Sequence, residues 1–163
     1  MAGAKLSPVV ALAVLVFAAH IVHGEDPIQQ CLQQHGGFTL LAREWPSRHL
    51  SGRLGPLTNV TVLAPTDGAF RQLVVQNRDL MRRLASTNVD RIVQRHVVQG
   101  RYTADDLAKL GRIRARNDDE LTFQKTAPHV RVNNEANIVV PDIACGQSVI
   151  QGLDGAVVPD EIK

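Results

Sequence analysis

The chain has 163 residues, 44% of them hydrophobic and 21% charged, with 18 Lys and Arg set against 16 Asp and Glu. That near-balance argues against a general nucleic-acid binder, which needs a clear basic excess. The length suits one packed domain, with no second expected, and two cysteines are too few for a multi-bridge scaffold or a cysteine-built metal site.

The first segment reads as a secretory signal over residues 1–24. Lys5 supplies the positive start, Val9 to Ala19 form an uncharged apolar run, and Val22-His23-Gly24 precedes Glu25 with small-residue cleavage geometry. The run is well short of the roughly 20 residues that span a bilayer. Residues 25–163 then form a single domain, and Val157-Val158-Pro159-Asp160-Glu161-Ile162-Lys163 lacks the hydrophobic tail of a lipid-anchor signal. The expected product is secreted, extracellular and soluble.

In the mature chain, Asp26 caps a helix that starts at Pro27, carries Ile28, Cys31 and Leu32, and stops at Gly36-Gly37. A second helix, Phe38 to Trp45, repeats apolar residues at Phe38, Leu41, Ala42 and Trp45 and ends at Pro46. Ser47 to Thr58 reads as a loop, with Gly52, Gly55 and Pro56 as breakers. Val60, Val62 and Ala64 alternate with Thr61 and Leu63 on a strand that Pro65 closes, and Thr66 or Asp67 caps the next helix.

Phe70, Leu73, Val74, Leu80, Met81 and Leu84 fit one or two short helices broken near Asn77 to Asp79. From Thr87 or Asn88, the spacing of Val89, Ile92, Val93, His96 and Val97 predicts a helix that Gly100 stops. Thr103-Ala104-Asp105-Asp106 has capping-box spacing and opens a short helix ending at Leu110-Gly111. Beyond Arg112 the period falls to two. Strands at Ile113 to Ala115, Leu121 to Phe123, Val130 to Val132, Ile138 to Val140, Val149-Ile150 and Ala156 to Val158 are joined at Asn117-Asp118-Asp119, Ala127-Pro128, Asn133-Asn134 and Asp154-Gly155. Helices first and an antiparallel meander last predict an α+β fold.

Several residues carry two readings. Cys31 and Cys145, in an oxidising compartment, are expected to pair as a disulfide that ties the first helix to the C-terminal sheet; the alternative is two separate buried thiols. Asn59-Val60-Thr61 is the one glycosylation sequon, with Asn59 either glycosylated or an unmodified turn residue. His96 lies on an apolar helix face, where a buried structural hydrogen bond is the expectation, and no nucleophile or zinc motif accompanies it. Asp118-Asp119-Glu120 lacks the alternating ligands of a calcium loop and reads as a solvated turn. Arg112, Arg114 and Arg116 recur at period two, so they are expected on one strand face, either to meet a sulfated or acidic glycan or to prevent unwanted strand pairing.

The run Thr61-Val62-Leu63-Ala64-Pro65-Thr66-Asp67-Gly68-Ala69-Phe70 resembles the first signature of the fasciclin domain, and His96 to Leu107 resembles the family's helix, glycine turn and capped segment. Val132 to Val139, Pro141-Asp142-Ile143, Val149-Ile150, Leu153-Asp154 and Val157-Val158-Pro159 are similar to the second signature. The resemblance implies a compact β-sandwich or wedge flanked by N-terminal helices, used in cell adhesion and extracellular-matrix contact. Two departures stand out: Arg95 precedes His96 where members carry tyrosine, and Gln147-Ser148-Val149-Ile150-Gln151 replaces Asn-Gly-Val-Ile-His.

Some animal members use a segment similar to Asp142-Ile143 in integrin recognition; the residues themselves also suit a core isoleucine and a turn-capping aspartate. The contact candidates are therefore His96, Asp142, Ile143, Arg112, Arg114 and Arg116. The expected function is noncovalent binding to a matrix or cell-surface protein or glycan, with no catalysis, no cofactor and no metal. The alternative is a secreted carrier or sensor of a small apolar ligand.

Overall fold

The computed structural model describes residues 26–158 other than 48, 77, 80, 81 and 83–88. The expected signal segment, the apolar positions Leu80, Met81 and Leu84, the helix start at Thr87 or Asn88 and the tail from Pro159 lie outside the described residues.

Helices come first: α1 (Pro27–Gln34), α2 (Thr39–Ser47) and α3 (Leu50–Leu54), followed by strand β1 (Val60–Pro65), α4 (Asp67–Gln76), α5 (Val89–Arg95), β2 (Val97–Gln99) and α6 (Ala104–Leu110). Five strands close the chain: β3 (Arg112–Arg114), β4 (Glu120–Thr126), β5 (His129–Val132), β6 (Ala136–Cys145) and β7 (Ser148–Leu153). The α+β class is as expected. The strands form one seven-stranded sheet in the order β2-β1-β7-β6-β5-β4-β3. All neighbours are antiparallel except β1 and β7, which run parallel with Val62 opposite Ile150.

The two ends of that order meet. Val98 of β2 bridges Ala115, just past β3, and the Arg116 amide donates to the Val97 carbonyl at 2.9 Å. The sheet therefore curls almost into a barrel, which removes exposed edge amides. β1 and β7, second and third in that order, are buried along their whole length. Their alternate side chains feed two cores. Val60, Val62, Ala64 and Ile150 face Ile28, Leu32, Phe38 and Trp45 of the helices. Leu63 and Leu153 face Leu107 of α6 and Leu121, Phe123, Val130 and Val132 of the curled strands. Period-two alternation on a strand covered from both sides gives this division.

Local chemistry accounts for the helix ends. Asp26 Oδ1 accepts the Ile28 amide at 2.9 Å, while its Oδ2 accepts the Trp45 indole N–H at 2.8 Å and the Ser51 hydroxyl at 2.6 Å, so one carboxylate joins α1, α2 and α3. The Thr66 hydroxyl accepts the Ala69 amide and caps α4. Asp67, in contrast, caps a different helix: it accepts from the amides of Thr39 and Leu40 and from the Thr39 hydroxyl at the start of α2. Burial pushes the Asp67 carboxyl up, but these bonds and the Arg71 charge outweigh it and hold it below the usual carboxylate range. Thr103 and Asp106 form the reciprocal capping box expected for α6.

Four expectations are corrected. Val97 does not continue a helix: α5 ends at Arg95, and Val97 and Val98 pair with Val62 and Thr61 as β2, because two β-branched residues beside an open strand gain more as a ladder than as a last helical turn. Ala156 to Val158 form no strand; Val157 instead seals the second core. Ser47 to Thr58, which reads as a loop in sequence, contains α3, too short for a visible period. Pro46 lies inside the last turn of α2 rather than ending it, where the missing N–H costs one bond.

Candidate interaction face

His96 is the chemically most suggestive residue of the sequence, and the fold commits it to structure. Its side chain is buried between α5 and the C-terminal segment. Nδ1 lies 2.8 Å from the Ile92 carbonyl, which can only accept, so Nδ1 carries the proton and Nε2 accepts the Val157 amide at 3.2 Å. Burial pushes the imidazole below its ordinary range; the bond to Ile92 opposes this and the neighbouring Arg95 charge adds to it. A neutral clamp results, not an exposed contact.

Ile143 is also core, packed with the helices at 7% exposure. Asp142 occupies a bulge in β6 with a left-handed backbone, φ 60. Its Oδ1 accepts the Ala104 amide at 2.8 Å and the Gln151 side-chain N–H at 2.7 Å, and its own amide donates to Gln151 Oε1 at 3.0 Å. Gln151, which is fully buried, also donates to the Tyr102 carbonyl at 3.1 Å. Asp142 thus caps α6 from across the fold: the residue is exposed, but its Oδ1 is engaged by Ala104 and Gln151, while Ile143 beside it is buried. Sequence reading offers Gln151 only as the replacement of a histidine; its role as a buried amide bridge depends on Asp142 and Tyr102, both earlier in the chain at separations of 9 and 49 residues.

The arginine trio is divided. Arg112 and Arg114 project outward from β3. Arg116 lies beyond that strand, because Ala115 bridges Val98 and the chain then turns; its guanidinium donates to the carbonyls of Leu54 and Pro56 and to Gln99 Oε1 at 3.3 Å. The expectation of one face for all three is corrected on that ground. Arg95 is likewise buried and paired with Asp119, which also accepts from Asn117 at 2.7 Å and Arg91 at 3.4 Å. Burial pushes the Asp119 carboxyl up, but those donors, Arg95 first, hold it below the ordinary range.

What remains on the surface is the outer side of β3, β4 and β5. Arg112 stands opposite Thr122, Arg114 opposite Glu120, and Gln124 opposite Arg131, all exposed, while Leu121, Phe123, Val130 and Val132 point inward. Arg131 was not singled out from sequence. Alternation in His129-Val130-Arg131-Val132 turns it outward, but only the β3-β4-β5 register places it on the same outer face as Arg112, with β4 between them. The three guanidinia are each steadied by one contact: Arg112 to Glu120 at 3.5 Å, Arg114 to the Asp118 carbonyl at 3.0 Å and Arg131 to the Asn134 carbonyl at 3.1 Å.

A second feature is a cleft of about 420 Å³ beside the Cys31–Cys145 disulfide, lined by Asp26, Ser51, Leu57, Gln147 and Ser148 among others. The two cysteines are bonded, with Cα atoms 5.8 Å apart, as the pairing reading expects. Asn59 is exposed at the start of β1. Among the described residues no helix is long and apolar enough to cross a membrane.

No curated protein matches the chain. A solved FAS1 domain pair from the insect cell adhesion molecule Fasciclin I is similar over 80% of this chain, with 17% identity and a TM-score of 0.66, and the chain spans half the length of that structure. At that identity the likeness speaks for the fold alone. The fasciclin domain model matches residues 25–159, nearly the whole sequence. Its span takes in the strand-to-helix transition at Pro65, the capped α6 and the bulged β6, so the chain belongs to the fasciclin domain family, a family of extracellular or cell-surface domains associated with cell adhesion.

Proposed function

We propose that this fasciclin domain is a secreted, non-catalytic adhesion module that binds a matrix or cell-surface protein or glycan through an area of surface rather than a reactive group. The observation that carries the reading is the fasciclin match along residues 25–159, and the similar insect protein is itself a cell adhesion molecule. The engagement of His96, Asp142 and Gln151 in internal hydrogen bonds supports it, since each is occupied with backbone or amide partners. Asn59, exposed beside β1, is where such a chain would carry its glycan.

The test is binding of the secreted chain to immobilised matrix proteins, glycans and whole cells, with heat-unfolded protein as control. Saturable binding that unfolding abolishes is expected; binding no greater than that of the unfolded control overturns the reading. A carrier of a small ligand is the second reading, favoured only by the cleft at the disulfide. A copurifying small molecule seen by native mass spectrometry, released when bulky residues replace Ser51 or Gln147, would select it.

A further inference from the structure

The adhesion reading leaves the ligand class open, and the outer face of β3, β4 and β5 narrows it. Successive outward residues on a strand are about 7 Å apart and neighbouring strands about 4.8 Å. The register therefore sets Arg114, Arg112 and Arg131 along a diagonal on the order of 17 Å long, with Thr122 and Gln124 beside it. Glu120 is the one carboxylate among the outward positions of these strands. No outward position there carries a large apolar side chain.

We infer that this face binds a sulfated polysaccharide. A protein partner needs an apolar or aromatic anchor at the centre of its interface, and this face has none. A chain of regularly spaced sulfates and hydroxyls matches three guanidinium forks, which present planar donor pairs to oxyanions, and the hydroxyl and amide groups between them. Glu120 acts as an internal competitor, because its carboxylate lies 3.5 Å from Arg112 and must yield that guanidinium to an incoming sulfate. Arg116 takes no part, since its donors are spent on Leu54 and Pro56.

The inference rests on the adhesion reading, and the test separates the two. Affinity of the secreted chain for immobilised heparin, fully desulfated heparin and poly-glutamate is measured alongside the matrix-protein panel. Heparin is expected to bind and the desulfated polymer not. Arg112→Ala and Arg131→Ala should each weaken binding about tenfold, the size of one charge-assisted hydrogen bond. Glu120→Gln should strengthen it by roughly threefold, as expected for a surface pair.

Lys109→Ala removes the same charge from α6, which packs on the inner side of these strands, and should leave affinity unchanged. Equal loss in the Lys109 and Arg112 variants, weaker binding by Glu120→Gln, or equal affinity for poly-glutamate would overturn the assignment. Matrix-protein binding without heparin binding defeats this inference and leaves the adhesion reading standing; no binding to either defeats both. All four positions are exposed, so thermal melts of the variants should match the parent and keep the comparison valid.

Discussion

At the residue scale, His96 and Asp142, which sequence reading offers as contacts, hydrogen-bond to distant parts of the chain itself, and two predictions follow from their partners. His96 must be neutral to accept the Val157 amide. Its folded pKa lies below the unfolded value of about 6.5, so protons bind the unfolded chain preferentially. The stability contribution is full above about pH 6.5 and declines as pH falls from there through the lower folded value. Denaturant melts between pH 7.5 and 5 should show this loss, and His96→Gln should flatten that part of the profile; an unchanged slope would contradict the clamp. Asp142→Ala should cost about 1 to 3 kcal/mol, because it leaves the Ala104 amide and the buried Gln151 amide without their shared acceptor. Urea unfolding midpoints check the figure, and a neutral result would mean that water replaces the carboxylate.

At the element scale, the disulfide joins α1 to the end of β6 across 114 residues of chain. In the chain-entropy model a loop of that length stabilises by about 4 to 5 kcal/mol, which is a large share of a typical domain's stability. Paired Cys31→Ala and Cys145→Ala should therefore lower the unfolding free energy by up to about that amount, measured against the parent under non-reducing conditions. The helical layer over β1 and β7 should loosen first, seen as faster amide exchange in α1 than in β4. Most elements here were legible from periodicity and caps: the capping box of α6 and the Asp26 cap of α1 are local chemistry. β2 was not, because Val97 and Val98 satisfy a helical period until β1 and Ala115 offer them a ladder.

At the scale of the whole molecule, the sheet closes where Arg116 reaches the carbonyls of Leu54 and Pro56 while its amide holds Val97. Lysine cannot present the two-pronged donor geometry that this contact uses. Arg116→Lys should accordingly destabilise by about 1 to 3 kcal/mol and raise hydrogen exchange in β2 and residues 112–117, with heparin affinity unaffected once folding is restored at low temperature. Exchange confined to its parental level would show that the Val98–Ala115 bridge closes the sheet without help.

The sequence by itself determined the class, the order of helices and strands, the caps and the family, because each of these depends on neighbours within a few positions: alternation, a proline after a strand, an acid three places after a threonine. It also supplied both partners of the disulfide. Only the tertiary structure decided which polar residues face water. Asp142, Ile143 and Arg116 have the local look of surface contacts, yet Ile143 points into the core, and the other two are held by Ala104, Gln151, Leu54 and Pro56, partners distant in sequence. Arg131 joins Arg112 and Arg114 for the same reason in reverse. Strand register is a property of pairing between segments, and no single segment carries it.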